Sequence, residues 1–191
     1  MEQLFKQKSL MISSLTEMGE PFISYAPFAK VGDKIYIYIS KAAEHYYNIS
    51  RNPKIAIMLI EDEAAAKTVF ARCRVSFNAT ATKMEEVPDS IWEAFEGVQG
   101  KEMLQVLKTL DFDMFELELH HGRLVKGFGK AYNIQLKDGE WIQEQVTGAG
   151  HGQGMPHSHG MGRSQDMGHP HGMSTVSYTH LRAHETLANL V

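Results

Sequence analysis

The chain contains 191 residues, of which 43% are hydrophobic, and it carries a formal net charge of −4. This length corresponds to one domain, and the hydrophobic content is enough for a packed core. The acidic balance provides no basic field for nucleic acid, and no apolar run approaches the about 20 residues that span a bilayer. The single cysteine, Cys73, excludes an internal disulfide framework. We therefore expect a cytoplasmic protein without nucleic-acid or membrane partners.

Two β-strands are predicted near the N-terminus. Leu10–Leu15 is an apolar run of strand length, and Phe22–Phe28 is the next strand. Met18–Pro21 separates them and contains the glycine and proline typical of a turn. Because proline cannot donate a hydrogen bond to a neighbouring strand, Pro27 is expected to end the second strand at an edge or a bulge.

A strand, a short helix and a second strand follow. Ile35–Ser40 is β-branched and aromatic, and Lys54–Ile60 is an apolar run of strand length. Between them, apolar residues recur at helical spacing from Ala42 to Ile49, with Ser40 as the predicted N-cap and Asn52-Pro53 as the stop. Both strands are continuously apolar, which predicts burial on two faces, as in the wall of a barrel.

The next predicted strand, Val69–Ala81, carries two arginines. Its side chains alternate, which places Arg72 and Arg74 on one face. This face is expected to meet a ligand or solvent. Cys73 lies on the opposite face and is predicted to belong to the core.

A helix and a β-hairpin are predicted after residue 87. Pro88–Lys108 has apolar residues at helical spacing, interrupted by two glycines. Met114–Leu119 alternates as a strand, His120–Arg123 is the predicted hairpin turn, and Leu124–Ile134 is the predicted return strand. Asp138-Gly139 is predicted as a further turn.

The composition changes at Thr147. Residues 147–175 are rich in glycine, histidine and methionine and lack an apolar period. This predicts a flexible tail that follows a folded domain of residues 1–146. Imidazole and thioether groups are ligands for soft metals and for haem iron. The two His-x-His pairs of the tail are therefore either ligands or adventitious metal binders.

The C-terminal residues 176–191 have a different character. Val176–Thr186 resembles the in-frame translation of a sequencing-library transposon adapter. We interpret residues 176–191 as an artefact and exclude them from the prediction of the fold.

Six blocks of the sequence, in order, resemble those of one known family: Ser24–Phe28, His45 with Asn48, Ile60–Glu63, Phe70–Arg74, His121-Gly122 and Val125–Tyr132. The family is that of the haem-utilisation proteins of the HugZ and HutZ type, a haem-degrading branch of the pyridoxamine 5′-phosphate oxidase-like, FMN-binding split-barrel superfamily. The resemblance covers about residues 8–150. It implies a mostly β fold with short helices, a split β-barrel, and a homodimer with haem in the cleft between the subunits.

The resemblance also implies ligands for the haem iron. His151 lies where the family has its proximal haem ligand, and His169 and His171 are its rivals. Asp111 is expected to accept a hydrogen bond from the ligand histidine of the other subunit, which would increase the donor strength of that imidazole. Arg74 is expected near the distal face of the haem, with a solvated barrel face as the alternative.

Two further residues are candidates for binding the cofactor. His45 matches a family histidine, although a surface histidine with satisfied hydrogen bonds is the alternative interpretation. Lys126 is expected to attract haem propionates or a phosphate, with a solvated lysine as the alternative.

The predicted activity is oxidative cleavage of haem to release iron, with haem as both substrate and cofactor and with an external electron donor. An FMN-dependent oxidoreductase of the pyridoxamine-phosphate-oxidase type is an alternative, for which Lys67, Arg72 and Arg74 form a partial set of phosphate ligands. A non-enzymatic haem or metal carrier that uses the histidine and methionine tail is a third hypothesis.

Overall fold

The computed structural model describes residues 1–137 and 140–146 as a mostly β protein with short helices, as predicted. The strands are β1 Ser9–Leu15, β2 Pro21–Val31, β3 Lys34–Ser40, β4 Lys54–Ile60, β5 Arg74–Lys83, β6 Phe112–Val125, β7 Ala131–Lys137 and β8 Glu140–Gln145. The helices are α1 Glu44–Arg51, α2 Asp89–Gln99 and α3 Lys101–Leu107, with single 3-10 turns at Leu4–Lys6, Glu63–Ala65 and Val69–Ala71. No helix within these residues is long and apolar enough to cross a membrane.

Six of the strands close into an antiparallel barrel. They run in the order β3-β2-β1-β4-β5-β6, and an additional pairing between β3 and β6 closes the ring. In this closing pair Ile35 lies opposite Leu117 and Ser40 lies opposite Phe112. The β7–β8 pair extends the sheet from β6. The predicted turn at Asp138-Gly139 lies outside the described residues.

The long strand β6 belongs to both the barrel and the β7–β8 extension. Its residues 112–117 pair with β3, and its residues 121–125 pair with β7. The predicted hairpin turn at His120–Arg123 is therefore wrong, because these residues continue the strand. The hairpin lies instead at residues 126–130, where Gly127 and Gly129 have φ values of 142° and 65°. Glycine adopts positive φ without steric cost.

A β-bulge explains why the two consecutive histidines do not form a turn. The register between β5 and β6 shifts at Asn78, so His120 and His121 both lie opposite this one residue. Both imidazoles are exposed, and their Nε2 atoms lie 2.8 Å from Oγ1 of Thr80 and 2.7 Å from Nδ2 of Asn78, respectively. Gly122 has no Cβ, which allows the backbone of β5 to approach at the bulge.

The barrel interior and one outer surface form two apolar cores. The interior is filled by side chains from all six barrel strands, among them Ile12, Ala26, Ile35, Ile57, Phe77 and Leu117. Helices α2 and α3 cover the outside of β3, where Tyr36 and Tyr38 pack against Phe95 and Leu104. β3 is thus buried on both faces, as predicted. The same prediction is wrong for β4, because β4 alternates between buried and half-buried residues.

Three local predictions need correction. Ser40 is not the N-cap, because α1 begins after Ala43 and the Ser40 hydroxyl accepts a hydrogen bond from the Ala42 amide at 3.2 Å. β5 begins at Arg74, after the 3-10 turn, so Arg72 and Arg74 do not share a strand face. β2 does not end at Pro27; it changes partner there, from β1 to β3.

Candidate functional site

A cavity lies where β2 and β3 diverge. The two strands pair only as far as Phe28 opposite Ile37, which leaves residues 21–27 of β2 paired with β1 alone. The space beside this open edge has a volume of about 540 Å³, within the usual size of ligand pockets. We name it the edge cavity. Its lining includes Ser24, Tyr38, Ser40, His45 and Phe112.

His45 enters the edge cavity from the first turn of α1. The imidazole is half-buried, and burial lowers the pKa of His45 below its ordinary value of 6.5. The ring is therefore mostly neutral at pH 7 and can accept or donate a hydrogen bond in the cavity. Helix α1 is held over β1 by a hydrogen bond from Nδ2 of buried Asn48 to Oγ of buried Ser14, at 3.4 Å.

Ser24 contributes a buried hydroxyl without a hydrogen-bond partner. Within the described parts of the chain, its Oγ is the one buried side-chain oxygen or nitrogen that has no hydrogen-bond partner. Ser24 lines the edge cavity and also a larger cavity, of about 800 Å³, on the other side of the same strand. Because an unpaired buried hydroxyl carries a desolvation penalty, this atom favours a polar ligand group beside it.

Asp111 lies beside the edge cavity, immediately before the cavity residue Phe112. Its carboxylate is 77% exposed and pairs with the Lys41 ammonium at 2.8 Å. The Lys41 amide also donates to the Asp111 carbonyl at 3.0 Å. An exposed carboxylate next to a cavity-lining residue can accept a hydrogen bond from a second chain.

The two arginines have different surroundings. Arg72 lines the 800 Å³ cavity, donates to the carbonyl of Glu61, and pairs with the Glu63 carboxylate at 3.2 Å. Arg74 is half-buried at the start of β5 and donates to the Arg72 carbonyl at 3.2 Å. Arg74 lies in register with Ile60 on one side and Val125 on the other.

Lys126 lies at the base of the β6–β7 hairpin. Its ammonium donates to Oε1 of Gln143 at 3.0 Å and lies 5.0 Å from the centre of the Tyr132 ring. It lines a third cavity, of about 430 Å³, together with Lys67, Cys73 and Phe128. Cys73 is half-buried and packs against the core, as predicted.

The predicted site residues fall into two groups at opposite ends of β6. His45 and Asp111 lie near its start, and Arg74 and Lys126 lie near its end. A strand of this length has an extended contour of about 45 Å. The two groups also lie at different cavities of the described chain, since His45 lines the edge cavity and Lys126 lines the 430 Å³ cavity. His151, His169 and His171 lie outside the described residues.

Comparison with known proteins identifies the family. The sequence profile of pyridoxamine 5′-phosphate oxidase matches residues 1–126, which is most of the described chain. The chain belongs to the pyridoxamine 5′-phosphate oxidase-like split-barrel family. Within this family it is of the HutZ and ChuZ type. It is 35% identical, over 137 residues, to the protein named Heme oxygenase HutZ of Vibrio cholerae serotype O1, a match that covers 70% of this chain and 77% of that one.

Solved structures of this type have the same barrel. Campylobacter jejuni ChuZ is 36% identical with a TM-score of 0.70, and the match covers 83% of this chain but only 65% of that one. The solved structure of HutZ from Vibrio cholerae, which is described as a haem storage protein, is 34% identical with a TM-score of 0.60. This match covers 67% of this chain and 93% of that one. A haem-binding protein from Mycobacterium smegmatis, at 21% identity and a TM-score of 0.61, shares the fold.

Two features of this split-barrel site were missed from the sequence. Ser24 was noted only as part of a family block, and no pattern indicated that its hydroxyl lacks a partner. Asp113 lies just before the predicted strand Met114–Leu119 and is not among the predicted site residues, although its carboxylate accepts a hydrogen bond from Tyr46 at 2.6 Å and pairs with the Lys83 ammonium at 3.1 Å. The signal available was the Asp-x-Asp spacing, which in an extended chain places Asp111 and Asp113 on one side.

Proposed function

We propose that this protein binds haem at the interface of a homodimer and degrades it oxidatively to release iron, in the manner of a haem oxygenase. The observation that carries the proposal is the 35% identity to the protein named Heme oxygenase HutZ. The edge cavity, with a neutral imidazole and an unpaired hydroxyl, and the exposed carboxylate of Asp111 next to the cavity residue Phe112, support it.

The residues of the edge cavity fit a haem in their chemistry. Haem is an apolar plate with two carboxylates, and the walls formed by Tyr38, Ile39 and Phe112 are apolar. Ser24 and His45 add hydrogen-bonding groups at the same cavity. When bound, haem supplies the iron that activates dioxygen, with electrons from an external donor.

The protein residues have separate proposed roles. The tail histidine His151, or else His169 or His171, binds the iron. Asp111 accepts a hydrogen bond from that histidine on the other subunit and so fixes its tautomer. Arg74 and Lys126 provide cations for the propionates or for a polar group on the distal side.

A homodimer would bring the two groups of site residues together. Because His45 and Asp111 lie at one end of β6 and Arg74 and Lys126 at the other, a twofold-related partner can place its second group beside the first group of this chain. Such a dimer makes two equivalent clefts.

The outer face of the barrel provides an apolar surface for this second copy. In the strand register, Met11 lies between Tyr25 and Met58, and Ser13 lies between Ile23 and Ala56. We name these residues the outer face. Ile23 and Tyr25 are 74% and 71% exposed. A contiguous apolar patch across three strands is typical of a protein interface.

A haem carrier is the second candidate, because a solved relative is described as a haem storage protein. An FMN-dependent oxidoreductase is the third, since the family profile carries the name of such an enzyme. Its phosphate would need free cations, yet the Arg72 guanidinium is engaged by Glu61 and Glu63. This engagement favours haem over FMN.

We propose the cytoplasm as the compartment, where reducing conditions suit the single free thiol.

The test is a titration with haemin of the full chain and of a chain that ends at Ser174. Ascorbate is then added in air, and the Soret band is followed with time. We expect a saturable Soret complex that decays, with iron released to a chelator.

The outcomes separate the three candidates. A complex that is stable under ascorbate supports the carrier, and a protein that binds FMN but not haemin supports the oxidoreductase. In His151→Ala, loss of the complex supports His151 as the ligand, whereas decay that persists assigns the ligand to His169 or His171.

A further inference from the structure

The side chain of Tyr46 connects helix α1, which carries His45, to β6. The Tyr46 hydroxyl donates a hydrogen bond of 2.6 Å to Oδ2 of Asp113. The Tyr46 ring also packs edge-on against Phe115 on the same strand, with 5.6 Å between the ring centres. Asp113 therefore fixes the residue adjacent to His45.

Asp113 is also connected to Asp111. The Lys41 ammonium lies 2.8 Å from Oδ1 of Asp111 and 3.8 Å from Oδ1 of Asp113, so the two carboxylates share one cation. Lys83, at the end of β5, pairs with Oδ2 of Asp113 at 3.1 Å. The side chain of Asp113 is only 17% exposed, which holds it in place among these donors.

We propose that Asp113 is a positioning residue of the haem site, which sets His45 and Asp111 in one arrangement through Tyr46 and Lys41. This inference rests on the proposed function, because it concerns the same cavity. Asp113 does not line the edge cavity itself. Its connection to the cavity runs through its contacts with Tyr46 and Lys41.

The ionised state of Asp113 is required for this role. Burial raises the pKa of Asp113, but the hydrogen bonds from Tyr46 and Lys83 and the charges of Lys83 and Lys41 lower it by more. The net shift of the pKa is downward from 3.8, so the carboxylate stays charged throughout the neutral range. A neutral side chain of the same shape would keep the packing and lose the attraction for both lysines.

The chain offers a matched control. Glu116 lies on the same strand and has the same kinds of partner, with the Tyr36 hydroxyl at 3.1 Å and the Lys34 ammonium at 2.5 Å. These partners are on β3 and at its start, and none of them lines the edge cavity. Glu116→Gln therefore removes the same chemistry without touching α1.

The experiment compares Asp113→Asn, Tyr46→Phe and Glu116→Gln in the full chain. Tyr46→Phe removes only the hydroxyl and keeps the ring on Phe115. For Asp113→Asn and Tyr46→Phe, we expect decay of bound haem to slow by about 10-fold or more, with haemin affinity nearly unchanged, because misplaced groups mainly reduce turnover. In Glu116→Gln, bound haem should decay at the wild-type rate even where the melting temperature of the variant falls.

A second measurement needs no haem. NMR titration of the His45 imidazole should give a higher pKa in Asp113→Asn and Tyr46→Phe than in the wild type, because a looser α1 exposes the ring to water. An unchanged His45 pKa together with wild-type decay in both variants would overturn the inference. Decay of bound haem in Glu116→Gln that is as slow as in Asp113→Asn would overturn the inference as well. A wild type that binds no haemin would instead defeat the proposed function, and the His45 titration would still decide whether Asp113 positions α1.

Discussion

Gly122 on β6 lies directly against the backbone of Ser76 on β5. A Cβ at residue 122 would overlap the Ser76 carbonyl oxygen and would lie 2.8 Å from Cδ1 of Phe77. Since neither backbone can move without breaking the bulge at Asn78, we expect Gly122→Ala to destabilise the fold by about 3 kcal/mol. The free energy of unfolding in urea measures this.

Gly97→Ala is the control for this substitution. Gly97 lies inside α2, and a Cβ there would meet no atom within 4 Å. We expect it to stabilise the protein by about 0.5–1 kcal/mol, because alanine has the higher helix propensity. Equal destabilisation by both changes would contradict the close approach at Gly122.

Ser24→Ala is expected to change stability and haem affinity in opposite directions. Removal of an unpaired buried hydroxyl relieves a desolvation penalty, so the haem-free protein should be equally stable or more stable by up to about 1 kcal/mol. If the hydroxyl contacts the ligand, haemin binding should weaken. Thermal melts without haemin and Soret titrations report the two effects. A stability loss above 1 kcal/mol would show that the hydroxyl already has a partner in the protein.

His45 makes the stability of the fold sensitive to mild acid. Burial lowers its pKa below the ordinary value of 6.5, so below this pH the unfolded chain binds a proton that the folded chain does not. The free energy of unfolding should therefore fall as the pH drops below 6.5, until the imidazole is also protonated in the folded state. His45→Gln should flatten this part of the curve of urea midpoint against pH. If the urea midpoint of His45→Gln fell as steeply as that of the wild type between pH 6.5 and 5, the burial of His45 would be contradicted.

Tyr25→Glu tests the outer face as the dimer interface. A carboxylate on this apolar surface would be desolvated by a second copy, so we expect the wild type to be dimeric and the variant to be monomeric in light scattering. The oligomeric state alone decides this test, because Tyr25 also lines the edge cavity.

Met18→Glu is the matched control for the outer face. Met18 is 84% exposed and lies in the turn between β1 and β2, outside the outer face. This variant should remain dimeric. A monomeric wild type, or a dimer that persists in Tyr25→Glu, would contradict the proposed interface.

The strands of the barrel could be predicted from the sequence because their apolar runs reflect burial. The continuous run at Ile35–Ser40 indicated burial on two faces, and the structure has the barrel interior on one side and α2 and α3 on the other. The course of β6 could not be predicted in this way. His120, His121 and Gly122 have the composition of a turn, and only the register with Asn78 makes them a bulge within a strand.

The candidate site was predictable only where a family block contained it. His45 was found from such a block, and the structure places it in the edge cavity. Tyr46 and Asp113 are 67 residues apart in the chain, and their hydrogen bond depends on how α1 packs on β6. Long-range pairs of this kind leave no local pattern in the sequence.

The closure of the barrel has a consequence for synthesis of the chain. β3 finds its second partner only in β6, where Ile35 pairs with Leu117 and Ser40 with Phe112, and before β6 is made only four residues of β3 are paired, with β2. Non-local pairing of this kind slows folding and leaves strand edges open to other nascent chains. Chains truncated before β6 are therefore expected to aggregate rather than to fold as a smaller barrel, and the yield of intact protein should rise with slower expression at lower temperature.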